Sequence, residues 1–117
     1  RWKSPGSRRG KSAKMAELII SEAAQKDIDE ISRLHHQLVG PKSAAKAVDS
    51  IFMALSRLKD YPLSGRLAQD EVLYRLGCRL LVIGKYICIY RLIGNDIVIY
   101  RVADGRRDYP GLFKKMK

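Results

Sequence analysis

A change in hydrophobic period near residue 70 most constrains what this chain can fold into. Before it, two stretches repeat their apolar residues at helical spacing, and from Val72 onward the period falls to two, which is typical of strands. A chain of 117 residues of which 46% are hydrophobic suits one domain with one modest core. The sequence therefore predicts a small domain that combines helices with a sheet.

The two helical stretches adjoin each other and predict a hairpin. In the first, residues recur at helical spacing at Ala24, Ile28, Ile31, His35 and Leu38. In the second, they recur at Ala44, Val48, Ile51, Leu55 and Leu58. Ser21 is a suitable N-cap for the first helix. Gly40 and Pro41 end that helix, and proline suits the first turn of the next one. So short a connection makes the two helices fold back on each other.

Apolar runs on both sides of the helical pair predict four strands. AELIIS, residues 16–21, precedes the pair, and we expect strands near 72–82, 85–93 and 97–103 after it, with turns at Gly84 and at Gly94-Asn95-Asp96. DYPLSGR, residues 60–66, has the composition of a turn. The element order is then β-α-α-β-β-β. We expect an α+β fold with the helical hairpin packed on one face of a small, mainly antiparallel sheet.

The last two predicted strands are apolar on both faces, whereas a sheet with one solvated face alternates apolar and polar residues. A helical pair covers only one face. We therefore expect the other face to bind a partner through Ile87 and Ile89, with Arg91 or Arg101 beside them depending on the register. The alternative is that a small twisted sheet buries part of both faces by itself, helped by the chain ends.

Positive charge is concentrated at the two ends of the chain. Of the net charge of +11, residues 1–14 contribute +6 and residues 101–117 contribute +4. We interpret residues 1–14 as a basic flexible arm and residues 15–117 as the domain, and the sequence leaves open whether the arm is native. Such ends attract nucleic acid or an acidic protein, although charge that only keeps a protein in solution is the alternative.

Several protein classes lack support in the sequence. No apolar run approaches the roughly 20 residues that span a bilayer, and no signal peptide is visible, so we expect a cytoplasmic protein without a membrane partner. Cys78 and Cys88 are expected as reduced, partly buried thiols. His35 and His36 are adjacent on a helix without metal-type spacing around them, and we expect neither a metal nor a cofactor. His35 suits an interface and His36 a solvated position.

From YPLSGR to the last strand, the sequence resembles the RelE/ParE family of bacterial type II toxins. The shared features are a proline-containing turn that ends in Gly65-Arg66, a strand with Tyr86, Tyr90 and Arg91, and a strand that runs into RVADGRRD, residues 101–108. Tyr86, Tyr90 and Asp108 belong to this structural motif. Together with the element order, the resemblance covers nearly all of residues 15–113.

The resemblance implies a growth-inhibiting toxin that a cognate antitoxin neutralises by covering its surface, in a toxin–antitoxin hetero-oligomer. Family members differ in their target. Some inhibit DNA gyrase and have no recognised chemistry of their own, whereas others cleave messenger RNA on the ribosome. A relative that has lost toxicity and serves only as an interaction module is a third alternative.

RNA cleavage by the 2′-hydroxyl needs groups that take and give a proton, and positive charge at the phosphorane. The candidate catalytic residues for that alternative are Arg79, Arg91, Arg107 and Tyr109. The match to the ribonuclease members is otherwise poor, because Ile87, Phe113 and Asp104 stand where a basic residue, a tyrosine and a histidine are common. We therefore favour gyrase as the target and leave open whether the chain is an enzyme.

The arginines near the end of the last strand suit binding. We expect Arg91, Arg101, Arg106 and Arg107 to contact carboxylates or phosphates of the target or antitoxin, next to the apolar side chains of Ile87 and Ile89. The alternative is internal, with Asp104 or Asp108 paired with Arg106 or Arg107 and with Tyr109-Pro110 packed to direct the tail.

Overall fold

The computed structural model describes residues 17–105, which form eight elements. The helices are α1 (Glu22–Leu38), α2 (Pro41–Arg57) and α3 (Glu71–Arg75), and the strands are β1 (Leu18–Ile20), β2 (Arg66–Leu67), β3 (Arg79–Ile83), β4 (Tyr86–Ile93) and β5 (Asp96–Asp104). The α+β class with a helical hairpin on one face of a mainly antiparallel sheet is confirmed. Two small elements that the sequence analysis missed, β2 and α3, extend the predicted order. No helix within the described range is long and apolar enough to cross a membrane.

The sheet has the order β1-β5-β4-β3-β2, so the first and last strands are neighbours. β1 pairs with β5 in parallel, and the other three pairings are antiparallel. The turns on either side of β4 contain Gly84 and Gly94, with φ angles of 62° and 65°. Glycine adopts this left-handed conformation at little cost, and both predicted turns are confirmed.

Both long helices begin where the sequence predicted. The Ser21 hydroxyl accepts a hydrogen bond from the Ala24 N–H at 3.0 Å, and the Ser21 N–H donates to the Ile99 carbonyl at 3.0 Å. The cap residue of α1 therefore also fixes the helix start to β5. Pro41 is the first residue of α2, where its missing N–H costs nothing.

The helical hairpin buries the main core against one face of the sheet. Its members come from both long helices and from the three longer strands, and include Ile28, Ile51, Leu55, Cys88, Tyr90, Ile97 and Ile99. Each fully buried side chain of this size contributes about 1.5–3 kcal/mol. Leu38 was predicted to continue the apolar stripe of α1, but it is 80% exposed, because the last turn of the helix extends beyond this cluster.

The opposite face of the sheet has a second, smaller core. Residues of the α3 region, Ala68, Leu73 and Cys78, cover it and pack with Leu80, Ile87 and Ile89 of the sheet. The expectation that Ile87 and Ile89 lie on a bare face for a partner is therefore wrong, because the chain covers this part of the sheet itself. Cys78 and Cys88 are free, but they are fully buried rather than partly buried as predicted, and burial raises the pKa of the Cys88 thiol.

The segment that covers the second core begins where a strand was predicted. Asp70 caps α3 by accepting hydrogen bonds from the N–H groups of Val72 and Leu73, and Gly77 ends it with a φ of 76°. The Ala68 N–H then donates to the Cys78 carbonyl, which closes the segment into a loop. The predicted strand near 72–82 thus begins only at Arg79, and the predicted turn at 60–66 ends in the first residue of β2.

Tyr90 holds the turn that precedes β2. Its buried hydroxyl accepts a hydrogen bond from the Gly65 N–H at 2.9 Å and donates to the Pro62 carbonyl at 2.8 Å. A Cβ atom at Gly65 would lie 2.7 Å from the Tyr90 ring and 2.8 Å from the Leu80 carbonyl oxygen. The strand tyrosine and the turn glycine of the sequence motif therefore form one packed unit.

Tyr90→Phe is expected to lower the free energy of unfolding by about 1–3 kcal/mol, because the buried Gly65 N–H loses its acceptor. Tyr61→Phe, in the same turn but at a largely exposed ring, is the matched control and is expected to change stability little. Urea denaturation of the purified chain measures both. Equal stabilities of the two variants would contradict the role given to Tyr90.

Candidate binding surface at the end of the sheet

The Asp27 carboxylate takes the place of a neighbouring strand at the edge of β5. β1 pairs only with residues 97–99 of β5, and beyond them α1 lies along the edge. Asp27 accepts a hydrogen bond from the Val102 N–H at 2.9 Å. It also accepts two from the Arg101 guanidinium, at 2.7 and 2.8 Å. α1 is thereby held against the end of the last strand.

The Arg101 side chain is engaged inside the fold and does not form the predicted contact surface. Only 18% of its side chain and 16% of that of Asp27 are exposed. The hydrogen bond to Asp27 raises the pKa of Arg101 above its ordinary value. The prediction of Arg101 as a residue that contacts a target or antitoxin is thus wrong, because its hydrogen-bonding groups hold the carboxylate of α1.

An irregularity in the sheet changes which residues of β5 join the main core. The register between β4 and β5 shifts between Ile89 and Tyr90, which pair with Arg101 and Ile99, and Tyr100 is the extra residue. After this bulge, Val102 rather than Arg101 joins the main core next to Ile99. The register on which the sequence analysis depended is therefore broken at this point.

The two other arginines predicted within the strands differ from each other. Arg79 donates a hydrogen bond to the Gly65 carbonyl at 2.6 Å and so supports the turn before β2. Arg91, on the face of β4 away from the helical hairpin, is partly exposed and forms no ion pair with another residue of the range 17–105. Of these two, Arg91 is available to a ligand or partner.

Arg106, Arg107, Asp108 and Tyr109 lie outside the described residues. The described chain ends at Gly105, whose N–H donates to the Lys85 carbonyl at 2.8 Å. The predicted roles of these four residues in target binding, catalysis or the structural motif stay predictions. Their place in the sequence puts them directly after the end of β5.

A cleft of about 390 Å³ lies between the second half of α1 and the adjoining ends of β4 and β5. Ile31, Tyr86 and Val102 contribute to its lining, together with three exposed apolar side chains of α1 and its end, Leu34, Leu38 and Val39. Lys85 and Asp104 add opposite charges. We call this the α1–β5 cleft, and it brings exposed apolar area next to the end of the last strand.

The sequence analysis did not assign Leu34, Leu38 or Val39 to a binding surface. The available signal was an excess of apolar residues at the end of α1, because LHHQLV, residues 34–39, contains three of them and the predicted stripe uses only Leu38. Helical spacing placed Leu38 in the core, because spacing does not tell where the packing partner ends.

Tyr86 connects the sheet to both long helices through His35. The Nε2 atom of His35 lies 2.9 Å from the Tyr86 hydroxyl, and its Nδ1 atom lies 2.9 Å from the Ser43 hydroxyl. Burial, and then the nearby charge of Asp104, raise the pKa of Tyr86. The interface position predicted for His35 and the solvated one predicted for His36 agree with the structure.

The central strands offer little for acid–base chemistry. β3 and β4 contain no histidine, lysine or carboxylate. On the face away from the hairpin they present Leu80, Val82, Ile87 and Ile89, with Arg91 at the end. Residues 17–105 also contain no group of three His, Cys, Asp or Glu side chains that could hold a metal ion. This part of the sheet can pack and bind, but it lacks a proton carrier for catalysis near neutral pH.

Asp27→Ala is expected to lower the free energy of unfolding by about 3 kcal/mol, because it leaves a largely buried guanidinium and the Val102 N–H without their acceptor. Glu30→Ala, one turn further along α1, removes the exposed ion pair with Arg33 and is expected to cost less than about 0.5 kcal/mol. Chemical denaturation of both variants gives the comparison. Similar losses in the two would contradict a special role for Asp27.

Comparison with known proteins identifies the family that this chain matches. A family model described as the ParE toxin of the type II toxin–antitoxin system parDE matches residues 18–109. Toxin ParE3 of Caulobacter vibrioides is 32% identical over 92 residues, which are 79% of this chain and 89% of that protein.

Two solved structures resemble this one. A chain of the chromosomal ParDE toxin–antitoxin system of P. aeruginosa has a TM-score of 0.67 and 26% identity, over 78% of this chain and 97% of that one. A chain of the RelBE2 toxin–antitoxin complex of Mycobacterium tuberculosis has a TM-score of 0.53 and 22% identity, over 77% and 98% of the two chains. At that identity the second likeness concerns the fold alone.

Proposed function

We propose a function from one premise: the chain belongs to the ParE family of toxins of type II toxin–antitoxin systems. On this premise it inhibits growth by binding DNA gyrase, and a cognate antitoxin neutralises it. The observation that carries the choice of gyrase over messenger RNA is the composition of β3 and β4, the strands where the ribonuclease alternative needs its basic and proton-transferring side chains.

Cleavage of RNA requires at least one group that accepts a proton and one that donates it. The central strands supply apolar side chains, and Arg79 and Arg101 are used to hold a turn and a helix. Arg91 and the predicted contacts Arg106 and Arg107 then stand as cations that a target can use. Binding needs only such charged donors and apolar area, so the composition of β3 and β4 favours inhibition by binding.

The purified full-length chain is expected to inhibit supercoiling of relaxed plasmid by gyrase. Replacing Arg106 and Arg107 together by alanine is expected to raise the inhibitory concentration at least about tenfold, because charge-assisted contacts at a binding site are each worth one or more kcal/mol. Arg75→Ala is the matched control, since Arg75 is exposed on α3 and paired with Glu71. Titration of toxin in the supercoiling assay measures all three.

A separate assay tests the ribonuclease alternative. Primer extension on ribosome-bound messenger RNA detects cuts within codons. Such cuts, lost in Arg107→Ala and accompanied by unimpaired supercoiling, would establish the ribonuclease alternative. If the chain neither inhibits supercoiling nor causes such cuts, and its expression does not slow growth, the non-toxic interaction module is the remaining alternative.

The antitoxin is proposed to occupy the α1–β5 cleft. Three exposed apolar side chains there offer area to bury, and the basic end of the chain begins immediately after the last residue of β5. An acidic amphipathic segment laid in the cleft buries the apolar wall and pairs with these cations at once. It would also mask the arginines that we assign to the target.

Leu34→Glu and Leu38→Glu are each expected to weaken binding of the antitoxin encoded by the adjacent gene at least tenfold, which is about 1.4 kcal/mol. Met53→Glu is the matched control, because Met53 is an apolar residue on α2 outside the cleft, and its exposure of 65% lies between those of Leu34 and Leu38. Calorimetric titration of the purified proteins gives the dissociation constants. An unchanged affinity in both leucine variants would place the antitoxin elsewhere, without bearing on gyrase.

A further inference from the structure

A chain of three hydrogen-bonded side chains crosses the space between the helical hairpin and β4. The hydroxyl of Ser43, the imidazole of His35 and the hydroxyl of Tyr86 follow one another at 2.9 Å per contact. On the side away from the α1–β5 cleft, these groups line a second cleft of about 360 Å³, whose other residues include Lys46, Ser50 and Ile83. The toxin function proposed above makes no use of this arrangement.

The three groups stand in the order of a nucleophile, a base and a residue that orients the base. A neutral imidazole has one nitrogen that accepts and one that donates a hydrogen bond. In the tautomer in which Nδ1 accepts the Ser43 O–H, the Nε2–H donates to the Tyr86 oxygen and His35 can deprotonate Ser43. Hydroxyl nucleophiles in enzymes are activated by an adjacent base that a third side chain holds in this way.

Ser43 lies in the first turn of α2, where backbone amides lack intrahelical acceptors. α2 begins at Pro41, and the first hydrogen bond of the helix runs from the Ala44 N–H to the Gly40 carbonyl. The amides of Lys42 and Ser43 precede that bond, and the N-cap Gly40 supplies no side-chain acceptor to them. The positive end of the helix dipole favours negative charge near this first turn.

We propose that Ser43 is a base-activated nucleophile that is acylated by small activated esters entering this second cleft. Ser43 Oγ attacks the ester carbonyl carbon while its proton passes to His35 Nδ1. The bond between the carbonyl carbon and the leaving oxygen then breaks, and the leaving group takes the proton from His35. The products are an acylated Ser43 and a free alcohol, with no change of oxidation state.

A fluorophosphonate probe tests the proposal on the full-length chain. The Ser43 oxygen would form a bond to phosphorus as fluoride leaves, and peptide mapping by mass spectrometry locates the label. The native chain is expected to carry one label on Ser43, and the heat-denatured chain none. Ser43→Ala is expected to abolish labelling. Ser50→Ala, at a serine of the same cleft without a bond to His35, is expected to leave it unchanged.

Separate measurements test His35 as the base and Tyr86 as the positioning residue. His35→Gln is expected to lower the labelling rate about 10²-fold or more, the usual contribution of a general base, and added imidazole is expected to restore part of it. Tyr86→Phe is expected to lower the maximal labelling rate without changing the probe concentration at half-saturation. An unlabelled native chain, a label on a residue other than Ser43, or a rate indifferent to His35 would overturn the proposal.

Discussion

One carboxylate, that of Asp27, determines how the helices meet the end of the sheet. The parallel pairing of β1 stops at Ile99, which would leave the next N–H groups of β5 without acceptors at a covered edge. Asp27 satisfies the Val102 N–H and neutralises Arg101, so a charge pair replaces a strand. Because this contact fixes α1 against β5, it also sets the walls of the α1–β5 cleft and the distance from His35 to Tyr86.

The fold was predictable where one local signal controls one local structure. Helical spacing, the Ser21 cap and Pro41 gave the hairpin, and glycines gave the turns around β4. The α3 region was not predicted, because its five residues are too few to display a helical period and its alternating apolar residues suit a strand equally well. Asp70 and Gly77 are residues that commonly begin and end helices. For so short a segment these two signals do not distinguish a helix from a strand unless the packing around it is known.

The candidate site was less predictable, because a sequence counts charges without showing their partners. Asp27 and Arg101 are 74 residues apart, and Arg79 supports a turn that ends 14 residues before it. The bulge at Tyr100 moves every later side chain of β5 to the other face, so a period of two misplaces them. Leu38 lies on the predicted stripe of α1, yet no element of residues 17–105 reaches far enough along that helix to cover it.

The second core changes how such a small domain can bind its partners. A sheet covered on both faces is a rigid platform, because its central strands are buried by two independent groups of side chains. Part of the exposed apolar area lies at the edge where α1 meets the end of β5, in the α1–β5 cleft. Under the function proposed above, an antitoxin in the α1–β5 cleft would compete with a target that binds the arginines following β5.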